Sequence, residues 1–229
     1  MANEGVISRS TGSKFAVSLQ DRTLYKDGDW NTLVLPFDVS VDSKPLGGDG
    51  VKAMVLDGDK SQLDGTTLTL NFVDAPATIP AGTPFIIKWK QAAILENPAF
   101  TGVTIDDTDR PVTSKDDNVS FKGTYAPINW TVETPSILFL GDANTLYYPK
   151  AGAHLNAFRA YFELADGEQA RSFNLNFGEE TTGVVSMHNS ECLMLNKADA
   201  WYTVNGVKLD GKPTAKGMYI HGGRKVVIK

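Results

Sequence analysis

The residues best suited to covalent chemistry are a cysteine and a histidine near the C-terminal end. Cys192, the single cysteine of the chain, lies four positions after His188. A thiol becomes an effective nucleophile when a neighbouring base takes its proton and a third group orients that base in a cleft. Nothing in the sequence indicates an orienting group or a cleft, and His154 and His221 stand at no metal-ligand spacing. The sequence therefore predicts no catalytic residue, and the chain is predicted not to be an enzyme.

Two acidic loops could offer oxygen ligands to a cation. Asp57-Gly-Asp-Lys-Ser61 carries oxygens at alternate positions, as in the first half of a calcium loop, and Asp106, Asp107 and Asp109 form a second cluster. However, Gln62 stands where an EF-hand needs glycine, and no glutamate closes the loop. Solvated turns are the simpler interpretation, so no metal and no cofactor is predicted. A calcium ion that rigidifies one loop is the alternative.

Aromatic residues beside polar ones could form a glycan site. Trp89 and Trp130, which stand beside lysine and asparagine, and Tyr147 are the candidates for sugar contact. Because Trp and Tyr are largely buried on average, core or half-buried packing is the favoured interpretation of each of them alone, and glycan contact is the alternative. A glycosidase would need two carboxylates in one cleft, and the 27 acidic residues offer no obvious pair.

Strands must position these side chains. In residues 67–73, leucine and phenylalanine alternate with threonine and asparagine, which is typical of an antiparallel sheet with one wet face. Short apolar runs recur between turns rich in Gly, Pro and Asp, whereas amphipathic helical periodicity is absent. The sequence predicts an all-β protein: an antiparallel β-sandwich, or a partly open barrel, with a small C-terminal β unit.

The predicted division is a loose segment at 1–13, a sandwich domain at 14–178 and a C-terminal unit at 184–229. Asn205-Gly206 supports the last unit, because this pair favours the type I′ turn of a β-hairpin. Lys90–Asn97 is the only stretch predicted to form a helix, of two turns at most. Pro36 cannot donate to a ladder, so the strand at 30–41 is expected to be an edge or to carry a bulge. One core is expected to bury Leu33, Leu35, Phe37, Leu68, Leu70, Phe72, Phe85, Ile87, Phe121, Phe158 and Phe162.

Composition limits the partners and the location. A net charge of −5 argues against nucleic acid, which needs a basic face. No apolar run approaches the roughly 20 residues of a membrane helix, so no transmembrane segment is predicted. Met1–Gly5 lacks the basic and apolar regions of a signal peptide. A cytosolic protein is one expectation. The preferred one is an exported protein whose export signal is not present in this chain.

The chain also carries a resemblance, strongest at its C-terminal end. The residues concerned are Trp201-Tyr202, Asn205-Gly206, Lys212-Pro213, Lys216–Ile220 and Lys225–Lys229. They resemble the ending of exported surface proteins of the Bacteroidetes and are similar to the end of the type IX secretion sorting domain. Upstream segments look like a recurring module of the same group's surface proteins: Asp29–Phe37, Ile79–Phe85, Asn144–Pro149 and Ala157–Phe162. The resemblance implies surface display and no catalytic role.

The sequence thus predicts a non-catalytic extracellular or cell-surface β-sandwich module for attachment, display or binding. Its C-terminal sorting or anchoring element would dock through Trp201, Tyr202 and Tyr219. The expected partner is a cell-surface protein or a glycan, and the chain is expected to be a monomer. The alternative is a carbohydrate-binding or carbohydrate-active protein. Solvent-facing aromatics beside a groove would favour binding, and two close carboxylates in a cleft would favour hydrolysis.

Overall fold

The computed structural model describes residues 3–90, 92–178, 180–186, 201–203, 208–209, 213–214, 217–221 and 224–228. The chain divides into two compact units, Met1–Met187 and His188–Lys229. Both units are built from β-strands, so the all-β fold class predicted from the sequence is confirmed. None of the helices in these ranges is long and apolar enough to cross a membrane.

The first unit contains one α-helix, α1, and eighteen strands among its described residues. Their bounds are α1 Asn3–Ser10, β1 Lys14–Ser18, β2 Thr23–Leu24, β3 Asn31–Leu33, β4 Lys52–Leu56, β5 Gln62–Asp64, β6 Thr67–Asp74, β7 Phe85–Lys88, β8 Leu95–Glu96, β9 Ala99–Thr104, β10 Val112–Thr113, β11 Val119–Thr124, β12 Ile128–Asn129, β13 Ile137–Gly141, β14 Thr145–Tyr147, β15 His154–Leu155, β16 Arg159–Leu164, β17 Ser172–Phe177 and β18 Glu180–Ser186. Two 3-10 turns lie at Gly58–Lys60 and Asp142–Asn144.

Two sheets form the sandwich. The larger has seven strands in the order β18-β17-β6-β4-β7-β3, with β5 also paired to β6, and the smaller has the order β10-β11-β16-β13-β14. The pairs are antiparallel except for β6 and β17, which run parallel. Neither sheet closes on itself within the described residues, which agrees with a sandwich-like fold. Three two-stranded pairs, β1-β9, β2-β8 and β12-β15, lie outside the two sheets.

The first core lies between the two sheets. Strand β6 gives it Leu68, Leu70 and Phe72, while Thr67 and Thr69 are only half-buried on the opposite face. The alternation predicted for this strand is therefore confirmed. Four phenylalanine rings continue the core: Phe72 meets Phe121, Phe162 and Phe177 at centroid distances of 6.1, 6.4 and 5.4 Å. These are the separations at which aromatic pairs attract each other.

A second core covers the other face of β3, β4 and β7. Phe85 and Ile87 point into it, whereas Ile86 between them points into the first core. The single core predicted from the sequence is therefore wrong. Leu33, Leu35, Phe37, Phe85 and Ile87 belong to the second cluster, and Phe158 is only partly buried against it.

The layer over the second core includes the N-terminal helix. Ile7 is buried there, and Glu4 in the first turn and Arg9 in the last turn complement the helix dipole. The helix is held to the body by a 2.7 Å hydrogen bond from Asn3 Nδ2 to the Tyr125 carbonyl. The segment expected to be loose thus contains a helix, because one apolar side chain gives it a place in the core. In the stretch 90–97 predicted as a helix, the described residues instead include β8, paired with β2.

Strand β3 ends at Leu33 and is an edge of the larger sheet, which agrees with the position of Pro36 three residues later. At the opposite edge, β18 pairs with β17. Residues 184–186, assigned from the sequence to the C-terminal unit, therefore belong to the first unit.

The second unit contains a four-stranded antiparallel sheet. Its strands are β19 Trp201–Thr203, β20 Lys208–Leu209, β21 Gly217–His221 and β22 Arg224–Ile228, in the order β20-β19-β21-β22. The pairing of Trp201 with Leu209 agrees with a hairpin across 204–207, although these four residues lie outside the described ones. This sheet is the small β unit expected at the C-terminal end.

Replacing Leu70 by alanine should lower the free energy of unfolding by about 2–5 kcal/mol, because Leu70 is fully buried and the change leaves a cavity. Urea denaturation followed by tryptophan fluorescence measures the difference. Val73→Ala, on the same strand but 39% exposed, is the control and should cost about 0.5 kcal/mol or less. Equal losses for the two variants would contradict the strand orientation described here.

Candidate functional site

An open pocket lies where the edge of the larger sheet meets the β13-β14 hairpin and the start of β16. Its volume is about 150 Å³. The lining residues come from three separate parts of the chain: Tyr25, Asp27, Asp29, Trp30, Asn31, Thr32, Leu140, Gly141 and Arg159.

The first wall is a turn that Asn31 holds closed. Its side-chain oxygen accepts a 2.9 Å bond from the Tyr25 backbone N–H, and its Nδ2 donates at 2.8 Å to the Tyr25 carbonyl. Inside the turn, Asp27 Oδ1 accepts from the Asp29 backbone N–H at 3.0 Å. These three bonds fix the backbone that carries the pocket's exposed aromatic residue, Tyr25, which is 51% exposed.

A second set of bonds joins this turn to the β13-β14 hairpin. The two carboxylate oxygens of Asp29 accept from Asn144 Nδ2 at 3.1 Å and from the Ala143 N–H at 3.3 Å. In return, the Trp30 N–H donates to Asn144 Oδ1 at 2.8 Å. Ala143 and Asn144 both have positive φ, 54° and 55°, which is uncommon for residues other than glycine. The hairpin is thus held in a strained turn against the first wall.

The floor is a point at which a hydrogen bond joins the two sheets. Thr32 on edge strand β3 accepts a 3.2 Å bond through its hydroxyl from the N–H of Ala160 on β16. Behind it, Arg22 is 1% exposed and donates at 2.6 Å to the carbonyls of Thr23 and Thr32. Its Nε has no partner among the described residues. Burial, and then the nearby Arg159 charge, lowers the pKa of Arg22 to about 9, so it remains a cation at neutral pH.

Arg159 lines the pocket and is the second cation of the site. It is half-buried, and burial lowers its pKa. Within the described part of the chain, its guanidinium makes no ion pair and no hydrogen bond, although Asp27 and Asp29 line the same pocket. The residue before it, Phe158, has a φ of 59°, which is an outlier for a bulky side chain. Arg159 therefore lies in the pocket wall with no hydrogen-bond partner for its guanidinium among the described residues.

The aromatic residues predicted to contact a glycan are not brought together here. Trp89 is 2% exposed: its Nε1 donates at 2.6 Å to the Leu46 carbonyl, and the Lys26 ammonium lies 4.8 Å from the ring centroid. Trp130 is 9% exposed and packs with Ile137 and Leu155 in a third small cluster. Glycan contact is therefore corrected for both residues, because their rings face the interior, and the core packing favoured from the sequence describes them.

Tyr147 is half-buried, with its ring 6.1 Å from that of Phe139. Tyr25 was not identified from the sequence as a candidate. The signal that could have indicated it is its position in the polar run Tyr25-Lys-Asp-Gly-Asp29, directly before a buried strand.

The histidine, cysteine and tail predictions fall largely outside the described side chains. His154 is exposed on β15, whereas His188 and Cys192 lie outside the described residues. Trp201, Tyr202 and Tyr219 stand on β19 and β21, with Thr203 opposite Tyr219, but their side chains are not described. Docking through these three residues stays a prediction.

The acidic loops are occupied by the protein's own donors. Asp57 caps the first 3-10 turn and forms a 3.0 Å ion pair with Lys60. A hydrogen bond from the Thr108 hydroxyl, followed by one from its N–H, lowers the pKa of Asp106. Within the described ranges, no three His, Cys, Asp or Glu side chains are placed to share a metal ion. Asp57 and Asp106 therefore stabilise the turns in which they lie, as the solvated-turn interpretation expects.

The Asp116 carboxylate links a strand of the larger sheet to a residue beside the smaller sheet through hydrogen bonds. It accepts from Leu63 N–H on β5 of the larger sheet at 2.8 Å and from Ser114 Oγ beside the smaller sheet at 2.5 Å. Burial is the largest single influence and raises the pKa of Asp116. The bonds from Ser114, Leu63 and Asn118 together outweigh it, and the pKa lies below its ordinary value.

Comparisons with family models, curated proteins and solved structures found no match to this chain. The fold and the pocket define a β-sandwich protein with an open polar site at one sheet edge.

Replacing Asp116 by asparagine should destabilise the protein in a pH-dependent way. Because the pKa is lowered by folding, the carboxylate's contribution is present above its unfolded pKa of about 3.9 and is lost as pH falls through the folded value. The gap in unfolding free energy between wild type and Asp116→Asn should thus be largest above about pH 5 and shrink below about pH 4. Urea titrations across this range measure it. Asp107→Asn, at an exposed carboxylate, is the control, and a gap independent of pH would contradict the interpretation.

Proposed function

We propose that this chain is a non-catalytic β-sandwich module of the extracellular space or outer cell surface, acting in attachment, display or binding. In this proposal its ligand site is the pocket between β3, the β13-β14 hairpin and β16. The partner is a cell-surface protein or a glycan, and the module works as a monomer.

The observation that carries the proposal is Arg159, a half-buried cation without a bonding partner in the described residues, in the wall of an open pocket. Leaving a desolvated charge without a partner costs stability. A ligand that supplies the missing acceptors would recover that cost, and positions that cost stability are commonly retained for function. Ligand sites are also typically concave, with a few polar groups of fixed direction.

Binding is favoured over hydrolysis by the state of the pocket carboxylates. Both oxygens of Asp29 accept hydrogen bonds from the hairpin, which gives it the role of a structural link. Glycoside hydrolysis needs two carboxyl groups on opposite sides of the scissile bond, one of which gives up a proton. The carbohydrate-active alternative is therefore the weaker one, whereas carbohydrate binding remains compatible with the pocket.

The location rests on the resemblance of the C-terminal ending to exported surface proteins of the Bacteroidetes. The division at residue 187/188 supports a separate role for the tail, since the last unit is compact in itself. In this proposal the tail sorts or anchors the protein through Trp201, Tyr202 and Tyr219.

Deleting residues 199–229 tests the tail. We expect the truncated protein, expressed in the native host behind an export signal, to fold but to stay behind the outer membrane, while the full chain becomes accessible to added protease. Fractionation and protease shaving measure this. A truncated protein that folds and still reaches the surface excludes sorting, and one that cannot fold makes the tail part of the fold instead.

The pocket is tested by binding to intact cells. The labelled full chain should bind to the native host's cells or to extracellular material around them, and Tyr25→Ala should reduce retention at least tenfold. Val132→Ala removes a side chain that is 65% exposed and does not line the pocket, so it should bind as wild type does. Equal retention of all three proteins would overturn the pocket as the binding site.

A further inference from the structure

We propose that the pocket holds one neutral saccharide ring, with the face of the ring against Tyr25 and adjacent hydroxyl groups shared between Arg159 and Asp27. This inference rests on the proposed function, because it names the ligand class of the same site.

The size of the pocket sets the first limit. A volume of about 150 Å³ is comparable to a protein cavity that accommodates one benzene ring. The site therefore accepts a single six-membered ring, and an attached chain would leave through the open side. A terminal sugar or one residue of a longer glycan meets this limit.

The mixture of charges sets the second limit. Arg159 offers only donors, and the carboxylates of Asp27 and Asp29 offer only acceptors when ionised. An anionic ligand would meet the two carboxylates, and a cationic ligand would meet Arg159 with the buried Arg22 behind it. A hydroxyl group both donates and accepts. A neutral ring with neighbouring hydroxyls can therefore bond to both kinds of group at once.

Arg159 and Asp27, the two groups that would bond to the hydroxyls of such a ring, both have free hydrogen-bonding positions among the described residues. Arg159 has no described partner, and repulsion from Arg22 disfavours a retreat of its guanidinium into the interior. Asp27 is exposed and uses only Oδ1, so Oδ2 is available to a ligand hydroxyl. The forked guanidinium can give two parallel hydrogen bonds, which suits a pair of adjacent oxygens.

Tyr25 supplies the apolar surface. Its ring lines the pocket and is half exposed, while the bonds to Asn31 on both sides of its peptide unit fix its backbone. An aromatic side chain offers a large flat face at low entropy cost because it has only two rotatable side-chain bonds. The C–H face of a sugar ring is the matching surface.

The experiment is saturation-transfer NMR on the full chain with free glucose, galactose, mannose, N-acetylglucosamine and glucuronate, each tested separately. We expect ring-proton saturation for at least one neutral sugar, with a dissociation constant in the millimolar range typical of so small a ligand. Tyr25→Ala should abolish the signal and Arg159→Lys should weaken binding at least tenfold, whereas Val132→Ala should leave it unchanged. Matching circular dichroism spectra and melting temperatures establish that the variants are folded.

Amide chemical-shift changes on adding sugar to the wild-type protein provide a second test, which does not depend on the folding of any variant. The bound sugar should move the amide signals of Asp27, Asn31 and Gly141, and shifts confined to other parts of the chain would overturn the proposal. So would binding of glucuronate alone, since the carboxylates would then have to face an anion. If no sugar binds but cell binding still depends on Tyr25, the saccharide inference fails and the proposed function stands. If cell binding is also independent of Tyr25, both fail.

Discussion

The constraint on which this structure depends is the burial of strand β7 on both of its faces. Phe85 and Ile87 point to one side, Ile86 points to the other, and all three are fully buried. A strand of this kind cannot lie in a two-layer sandwich with one wet face. The larger sheet therefore needs the smaller sheet on one side and an additional cover on the other. Helix α1, the strand pairs β1-β9 and β2-β8 and the segment 34–50 provide that cover, which is why short elements surround the regular sheets.

The pocket forms at edge strand β3, where the larger sheet ends. At edge strand β3 the larger sheet has no further partner, and Thr32 instead bonds across to Ala160 of the smaller sheet, 128 positions later. The turn before β3 and the hairpin after β13 then meet through Asp29 and Asn144. Because each wall is fixed by bonds to another element, the lining groups are held in place without filling the space between them. Binding to preformed sites loses less entropy than binding that must order its own residues.

Features that depend on a local residue pattern could be predicted from the sequence. Features that depend on contacts with residues far away in the chain could not. The alternation of β6 was readable because one of its faces is wet, and the C-terminal β unit was readable from its hairpin signal. The apolar run Phe85-Ile-Ile87 could not reveal that its two faces enter different cores. The two lysines beside Trp89 left glycan contact open as an alternative to core packing, and the sequence could not show that Lys26, 63 positions earlier in the chain, lies against its ring. The pocket was hidden for the same reason, since its walls come from residues 25–32, 140–141 and 159.

The charges at the pocket are arranged in a way that folding alone does not require. Two arginines lie in or behind the pocket, and the charge of Arg159 adds to burial in lowering the pKa of Arg22. The nearby carboxylates accept hydrogen bonds from other groups, Asp29 from the hairpin and Asp27 from its own turn. A half-buried guanidinium without a protein partner is unfavourable, yet Asp29, which lines the same pocket, bonds to the hairpin instead. Departures from local consistency of this kind are expected at functional sites, with the cost offset elsewhere in the fold. In the proposed function, the cost of such a departure has a purpose: a guanidinium with no partner among the described residues stays open to a ligand at the sheet edge.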